Sequence, residues 1–370
     1  MAYRLLTRPD GASAYEPSSP DHVEGRIGDG SMVWLDVATR DPAEIEELGH
    51  RFGFEPAAIE DVLDVEQLPK FDVHEDHLFV VLHALTFVAD RVDTLELDCF
   101  VRGGLLVTVH AEPVVAVEWL WDAAQSYPQI GELAPPELFA QLTEVVGRRY
   151  LEILDEFERQ VDDLSDRALA ADRTVLAEIQ FLRREEATIR RVLRPQRLVI
   201  TTLRSRNLPI LTPAATTILN DAYDVHNLVV ESLASARGLL TDTLDTYRGA
   251  SAEREASATA VLTVYAAILL PLSLITGWYG MNVADLPLTE EPWGWMVVTA
   301  GMAVVAVVSW LVFVRMGIVR TARGGRARRP IVRSLADAAK APVKPVTMLW
   351  RPNGEARAVT SVTDRLRPRR

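Results

Sequence analysis

Stepping by 3.6 residues from Thr259, a helix would bring Thr263, Ala266, Leu270, Ser273, Gly277 and Gly280 onto one face of mostly small or polar side chains. The other faces of the same stretch carry Val261, Val264, Ile268, Leu269, Leu272, Leu274 and Ile275, which suit lipid or protein neighbours. Two chemistries fit such a face: close packing of helices, which small side chains permit, or a lining shared by several copies around water. No charged side chain lies on it, so it cannot repay removal of the tightly held waters of a small divalent cation. An ion following this face would therefore pass hydrated. Pro271 lacks an amide hydrogen, which predicts a bend and leaves carbonyls near Ala267 free to face that water. The stretch closes with Tyr279-Gly280-Met281-Asn282, where Asn282 alone would read as a helix C-cap, and the acids Asp285, Glu290 and Glu291 follow. His74, His77 and His83 could serve a softer metal, without a cysteine partner. No nucleophile and base arrangement, phosphate loop or metal-hydrolase spacing accompanies these groups, which argues against an enzyme.

These residues must be positioned by two apolar segments, 259–281 and 293–314, each close to the ~20 residues that a bilayer requires. Earlier sequence has no apolar stretch of that length, and a composition of 48 % hydrophobic and 25 % charged residues describes a chain folded mostly in water. Two spans cannot enclose an aqueous path, so a channel would need several copies. The loop 282–292 has no Lys or Arg, whereas Arg315, Arg320, Arg323, Arg326, Arg328, Arg329 and Arg333 follow the second segment. The positive-inside rule then places the loop outside and the arginines in the cytoplasm. The opening residues lack a signal-peptide h-region, so both termini are expected in the cytoplasm of a cell-membrane protein. A net charge of -13 conceals this basic tail, residues 315–370, which reads as a disordered segment contacting anionic lipid. No recognition motif supports nucleic acid as its partner. The single cysteine, Cys99, rules out an intrachain disulfide and fits a reducing compartment.

Residues 1–30 are rich in Pro, Gly, Ser and Asp without periodicity and read as a flexible leader. Residues 31–135 read as an α/β domain. It starts with the strand-like Met32-Val33-Trp34-Leu35-Asp36-Val37, an Asp41-Pro42 helix start and a second helix from Pro56. Three strand-like runs follow, with Arg102-Gly103-Gly104 as a hairpin turn. Residues 136–258 read as a helical stalk, with helices over 137–170, 173–204 and from 213 to 281. The last has no strong breaker before Pro271, and about 69 helical residues would span roughly 100 Å.

The run Tyr279-Gly280-Met281-Asn282, set before an acidic loop and a second span, resembles the signature of the CorA family of divalent metal ion transporters. Val261-Leu262-Thr263 and Leu270-Pro271-Leu272-Ser273 stand at family-like spacing upstream. Ile59-Glu60-Asp61-Val62-Leu63, Gln67-Leu68-Pro69-Lys70 and Glu75-Asp76-His77-Leu78-Phe79 resemble the family's N-terminal domain, so the likeness covers about residues 30–319. It implies an α+β membrane protein with an N-terminal cytosolic α/β/α domain, a long helical stalk and two C-terminal transmembrane helices. Such a chain would join four further copies in membrane lipid as a funnel-shaped homopentamer. Mg2+ would be both cargo and regulatory ligand, with Co2+ and Ni2+ as further cargo.

The resemblance implies a selectivity filter at Tyr279, Gly280, Met281 and Asn282. It implies a lining of Thr259, Leu262, Thr263, Ala266, Leu270, Ser273 and Gly277, external acids Asp285, Glu290 and Glu291, and intracellular regulatory acids Asp61, Asp221 and Asp224. Ala256 and Thr259 replace the Asn and Met that usually stand near the inner gate, and Leu270 replaces the Met before Pro271. The hydrophobic constriction would then rest on Leu262 and Leu270. Two rival readings are a Zn2+ or other transition-metal transporter of the same fold and a membrane-tethered sensor without transport.

Overall fold

The computed structural model describes residues 3–64, 67–88, 91–281, 287–288 and 291–316. The chain divides into two compact units, Met1–Glu255 and Ala256–Arg370.

In the first unit a seven-stranded sheet forms from β1 (Tyr3–Arg8), β2 (Glu16–Ser18), β3 (Met32–Val37), β4 (Lys70–Val73), β5 (Leu78–Val88), β6 (Arg91–Val101) and β7 (Leu105–Val109). The strand order is β2-β1-β3-β7-β6-β5-β4, and only β3 and β7 run parallel among these neighbours. Between and after the strands lie α1 (Val23–Gly28), α2 (Pro42–Phe52), α3 (Pro56–Leu63), α4 (Val115–Ser126) and α5 (Pro128–Gly131). Three long helices follow: α6 (Pro135–Leu169), α7 (Val175–Ser205) and α8 (Pro213–Tyr279), then α9 (Gly294–Arg315).

Alternation in the strands separates two cores. In β3, Val33, Leu35 and Val37 enter the core beneath α2 and α3 with Ile45, Phe52, Ile59, Phe79 and Phe100. Trp34 points to the opposite face, where Leu82, Leu97 and Cys99 meet Leu120 of α4, Phe139 and Tyr150 of α6 and Ile189 of α7. Helix α2 begins as its sequence dictates. The Asp41 carboxylate accepts from the amides of Ala43 (3.0 Å) and Glu44 (3.3 Å), Pro42 occupies the first turn, and Gly53 closes the helix at φ +65°. Farther along, Phe157, Val161 and Leu164 of α6, Ile179 of α7 and Ala236, Leu240 and Leu244 of α8 form a third, all-helical core.

The expectation of a flexible leader at 1–30 is corrected. Six residues of β1 pair in register with β3, and β2 pairs with β1 on its other side. Leu5 and Leu6 are buried on opposite faces of the sheet, so this strand contributes to both cores. The polar loop residues after Arg8 masked a six-residue alternating segment whose ladder closes the exposed side of β3.

Several buried carboxylates of the first unit meet arginines. Arg4 pairs with buried Asp36 (2.7 Å) and with Glu118, and His110 and Thr108 also meet the Asp36 carboxylate. Burial opposes ionisation of Asp36, but the bonds from His110 and Thr108 and the Arg4 charge hold its carboxyl below the ordinary range. Arg40 binds both Glu96 (2.8 Å) and the fully buried Asp98 (2.7 Å), whose carboxyl burial pushes well above the usual value.

Candidate functional site

Two helices are long and apolar enough to cross a membrane, α8 through its C-terminal part and α9. Within α8 a line of residues at helical spacing, Val264, Ile268, Leu272, Ile275 and Tyr279, is shielded or half-shielded. On α9 the matching line is Val298, Met302, Val305, Ser309 and Phe313. These lines are the less exposed sides of the two helices. Thr259, Leu262, Thr263, Ala266, Leu270, Ser273 and Gly277 all lie outside the α8 line and are exposed, Leu262 to 70 % and Leu270 to 69 %. The small and polar face is therefore not what packs this helix inside its own chain. Such a face is open to close packing.

Hydroxyls on this segment are satisfied locally. Thr263 donates to the carbonyl of Thr259 (2.8 Å), and Thr276 to those of Leu272 (3.1 Å) and Ser273 (3.0 Å), just after Pro271. Pro271 lies within α8, which continues to Tyr279. There the helix closes: the Gly280 amide donates to the Thr276 carbonyl (2.9 Å) and the Met281 amide to that of Trp278 (3.4 Å). Tyr279, Gly280 and Met281 thus stand where the helix ends, while Asn282 lies outside the described residues. Asp285 and Glu290 also lie outside them, as does the tail from residue 317. Glu291 is exposed just ahead of α9, and its carbonyl accepts from the Gly294 amide (3.0 Å).

The three intracellular acids sit on two elements. Asp61 is on α3, whose Ala58, Ile59 and Val62 are buried, and its carboxylate meets the Lys70 ammonium of β4 at 2.6 Å. Asp221 and Asp224 lie on the exposed side of α8, opposite the buried line Ala215, Leu219, Ala222, His226 and Val229. Partial burial, then Glu144 of α6 and Asp224, push the Asp221 carboxyl upward against the pull of Arg148. Glu144 itself is held by Arg148, whose Nε lies at 2.8 Å. Among the described residues no three His, Cys, Asp or Glu side chains gather as a metal site, so one chain does not bring Asp61 to Asp221 and Asp224 as a ligand set.

The histidines do not converge either. His74 and His77 stack with ring centroids 4.5 Å apart and planes at 18°, an arrangement in which two in-plane lone pairs cannot meet on one ion. His77 is bonded to Asp76 (2.8 Å), and His83 uses Nε2 on the Gln67 carbonyl (2.8 Å). Sequence reasoning quoted Lys70 only as part of a motif and passed over Glu144 and Arg148. The i to i+4 spacing of the latter pair was the available signal.

The family model described as CorA-like Mg2+ transporter protein matches residues 29–315. This chain belongs to that family. Its members are transporters, not enzymes. The cobalt/magnesium transport protein CorA of Methanocaldococcus jannaschii is 27 % identical over 289 residues, covering 77 % of this chain and 91 % of that one. A zinc transport protein, ZntB of Pectobacterium carotovorum subsp. carotovorum, is 22 % identical over 297 residues, covering 79 % and 88 %. The complete structure of the CorA magnesium transporter from Methanocaldococcus jannaschii matches with a TM-score of 0.74 at 24 % identity, over 85 % of this chain and 98 % of that one. At that identity the structural match speaks for the fold: an N-terminal soluble domain, a long helix and two C-terminal apolar helices.

Proposed function

We propose that this protein conducts hydrated Mg2+ across the cell membrane as a homopentamer closed by Mg2+ in the cytoplasm, with Co2+ and Ni2+ as further cargo. The observation that carries the reading is the uncharged face of α8, from Thr259 to Gly277, left exposed by the chain's own packing and ending at Gly280 and Met281 in a CorA-family chain. Five copies would turn that face inward to line a common path, with Leu262 and Leu270 as its narrow apolar part. Tyr279, Gly280, Met281 and Asn282 would form the outer filter. Neutral amide and carbonyl oxygens can accept hydrogen bonds from an ion's first-shell waters without holding the ion fast. Asp285, Glu290 and Glu291 would draw cations to that mouth.

In this reading residues 31–135 and 136–258 are cytosolic, 259–281 and 293–314 cross the bilayer, and 282–292 is external. Both termini are cytoplasmic, and the tail 315–370 faces anionic lipid. Asp61 of one copy and Asp221 and Asp224 of the next would repel until Mg2+ joins them, so the ion holds the closed state. Lys70 beside Asp61 is then a tethered competitor for that ion. A second reading is favoured by one observation, the zinc-transporting relative: the same path would carry Zn2+.

Purified protein in liposomes loaded with a Mg2+ indicator tests this directly. Asn282→Ala should lower Mg2+ entry about ten-fold or more, a loss of ~1.4 kcal/mol. Asp61→Ala or Asp221→Ala should retain entry while weakening inhibition by Mg2+ on the cytoplasmic side. Competition by Co2+ and Zn2+ ranks the ions. Undiminished entry through the Asn282 variant would remove the filter, and unchanged inhibition in both aspartate variants would remove the regulatory site.

A further inference from the structure

Strand β5 is longer than its neighbour β4. The β4 ladder covers β5 only from Leu78 to Val81, so beyond that point, among the described residues, the outer edge of β5 has no strand beside it. Its backbone groups must find other partners or remain unpaired in the interior. At His83 two helices supply them: the amide donates to Oε1 of Gln196 on α7 at 2.7 Å, and the carbonyl accepts from the Tyr150 hydroxyl of α6 at 3.0 Å.

Gln196 is fully buried, and the other end of its amide continues the chain. Its Nε2 lies 3.1 Å from Nε2 of His226 on α8. An amide NH2 group only donates, so His226 Nε2 must be the acceptor, and the ring proton sits on Nδ1, which donates to the Ala222 carbonyl at 2.8 Å. Every bond then runs in one direction, from Gln196 to His226 to the α8 backbone, while Oε1 faces the His83 amide. Reversing the Gln196 amide would set NH2 against N–H at one end, so the orientation is determined. Burial keeps His226 neutral, with its pKa drawn down to about 4. The imidazole also has no slack, because a Cβ at Gly147 of α6 would come within 2.7 Å of His226 Cε1.

We propose that Gln196 is a positioning residue for ion passage: it ties the free edge of β5 to α8 through His226, so that α8 cannot turn or slide against the sheet without unpairing two buried groups, the Gln196 amide and the His226 imidazole. The inference rests on the reading of α8 as the helix whose C-terminal part lines the ion path. Because a half-broken relay leaves a buried amide and imidazole unpaired, intermediate settings of the helix are disfavoured and its movement becomes discrete.

The test uses the full-length protein in lipid, with Gln196→Met and His226→Met, which keep length and apolar bulk but remove the bonds. Thr243→Val is the control. Thr243 is buried and its hydroxyl meets Ser165 of α6 at 2.7 Å, so its loss also severs a contact between α6 and α8, outside the relay. His226→Met leaves the His83 bond itself in place, yet should speed hydrogen exchange at the His83 amide about ten-fold. Gln196→Met should change the ratio of Mg2+ flux at low and high cytoplasmic Mg2+ by about three-fold or more, with Thr243→Val leaving it within experimental scatter. Unaltered exchange at His83 in His226→Met overturns the coupling. An equal change of the flux ratio in Thr243→Val overturns the positioning role, since mere loosening would suffice. If wild-type flux ignores cytoplasmic Mg2+, the regulatory reading above fails, and exchange at His83 still decides the relay.

Discussion

In the unit formed by residues 1–255, buried polar groups reach partners far away in sequence. Arg40 holds Glu96 and Asp98, Arg4 and His110 hold Asp36, and Gln196 joins His83 to His226. Between Thr259 and Tyr279 the hydroxyls of Thr263 and Thr276 bond only carbonyls of their own helix, and large apolar side chains stand open. The contrast teaches that the first unit pairs its buried polar groups across distant elements of one chain, whereas the apolar half of α8 leaves large side chains open, as a surface that meets other molecules does.

The contrast can be broken most severely at Arg40. Arg40→Met strands the fully buried Asp98 beside Glu96 and should destabilise the first unit by about 3–5 kcal/mol in denaturant titration. A loss below ~1 kcal/mol would mean that its charges are not interdependent. On the other side, Gly277→Leu should reduce Mg2+ flux about ten-fold, ~1.4 kcal/mol, while the denaturation midpoint stays put. A fall in both would make Gly277 a folding residue and blur the distinction.

The most gradual effect concerns pH. His226 has a folded pKa of about 4 against an ordinary 6.5, so the stability gained by keeping it neutral is complete above pH 6.5 and is lost as pH falls towards 4. His226→Gln should make stability less steep in that window by at most one proton, ~1.4 kcal/mol per pH unit. Burial also lowers the pKa values of His77 and His83, and their contribution should remain. An unchanged slope in the variant would place the acid sensitivity elsewhere.

Much of this architecture is legible in the residues themselves. The Asp41-Pro42 start of α2, the alternation in β3, the Arg102-Gly103-Gly104 turn and the long helix from Pro213 follow from local rules of capping, pleat and period. The Gly-Met-Asn run pointed to the family that the comparison bears out. What stayed hidden depends on tertiary pairing. Strand β1 was lost behind a polar loop, and α4 carries β-branched Val115 and Val117, which blur its helical signal. Gln196 and His226 stand 30 residues apart on different helices, a relation without a periodic mark. Nor could sequence tell the shielded side of α8 from the exposed one. Inside lipid both are uncharged, and only the line from Val264 to Tyr279 separates them.

The late partners of β5 also bear on how the chain is made. Gln196 leaves the ribosome 113 residues after His83, and Tyr150 leaves it 67 residues after. Until then a nascent sheet carries an uncapped margin of apolar strand, able to template pairing with a neighbouring polypeptide. Synthesis paused before α7 would therefore expose this margin longest, and that interval is when a chaperone would be most needed.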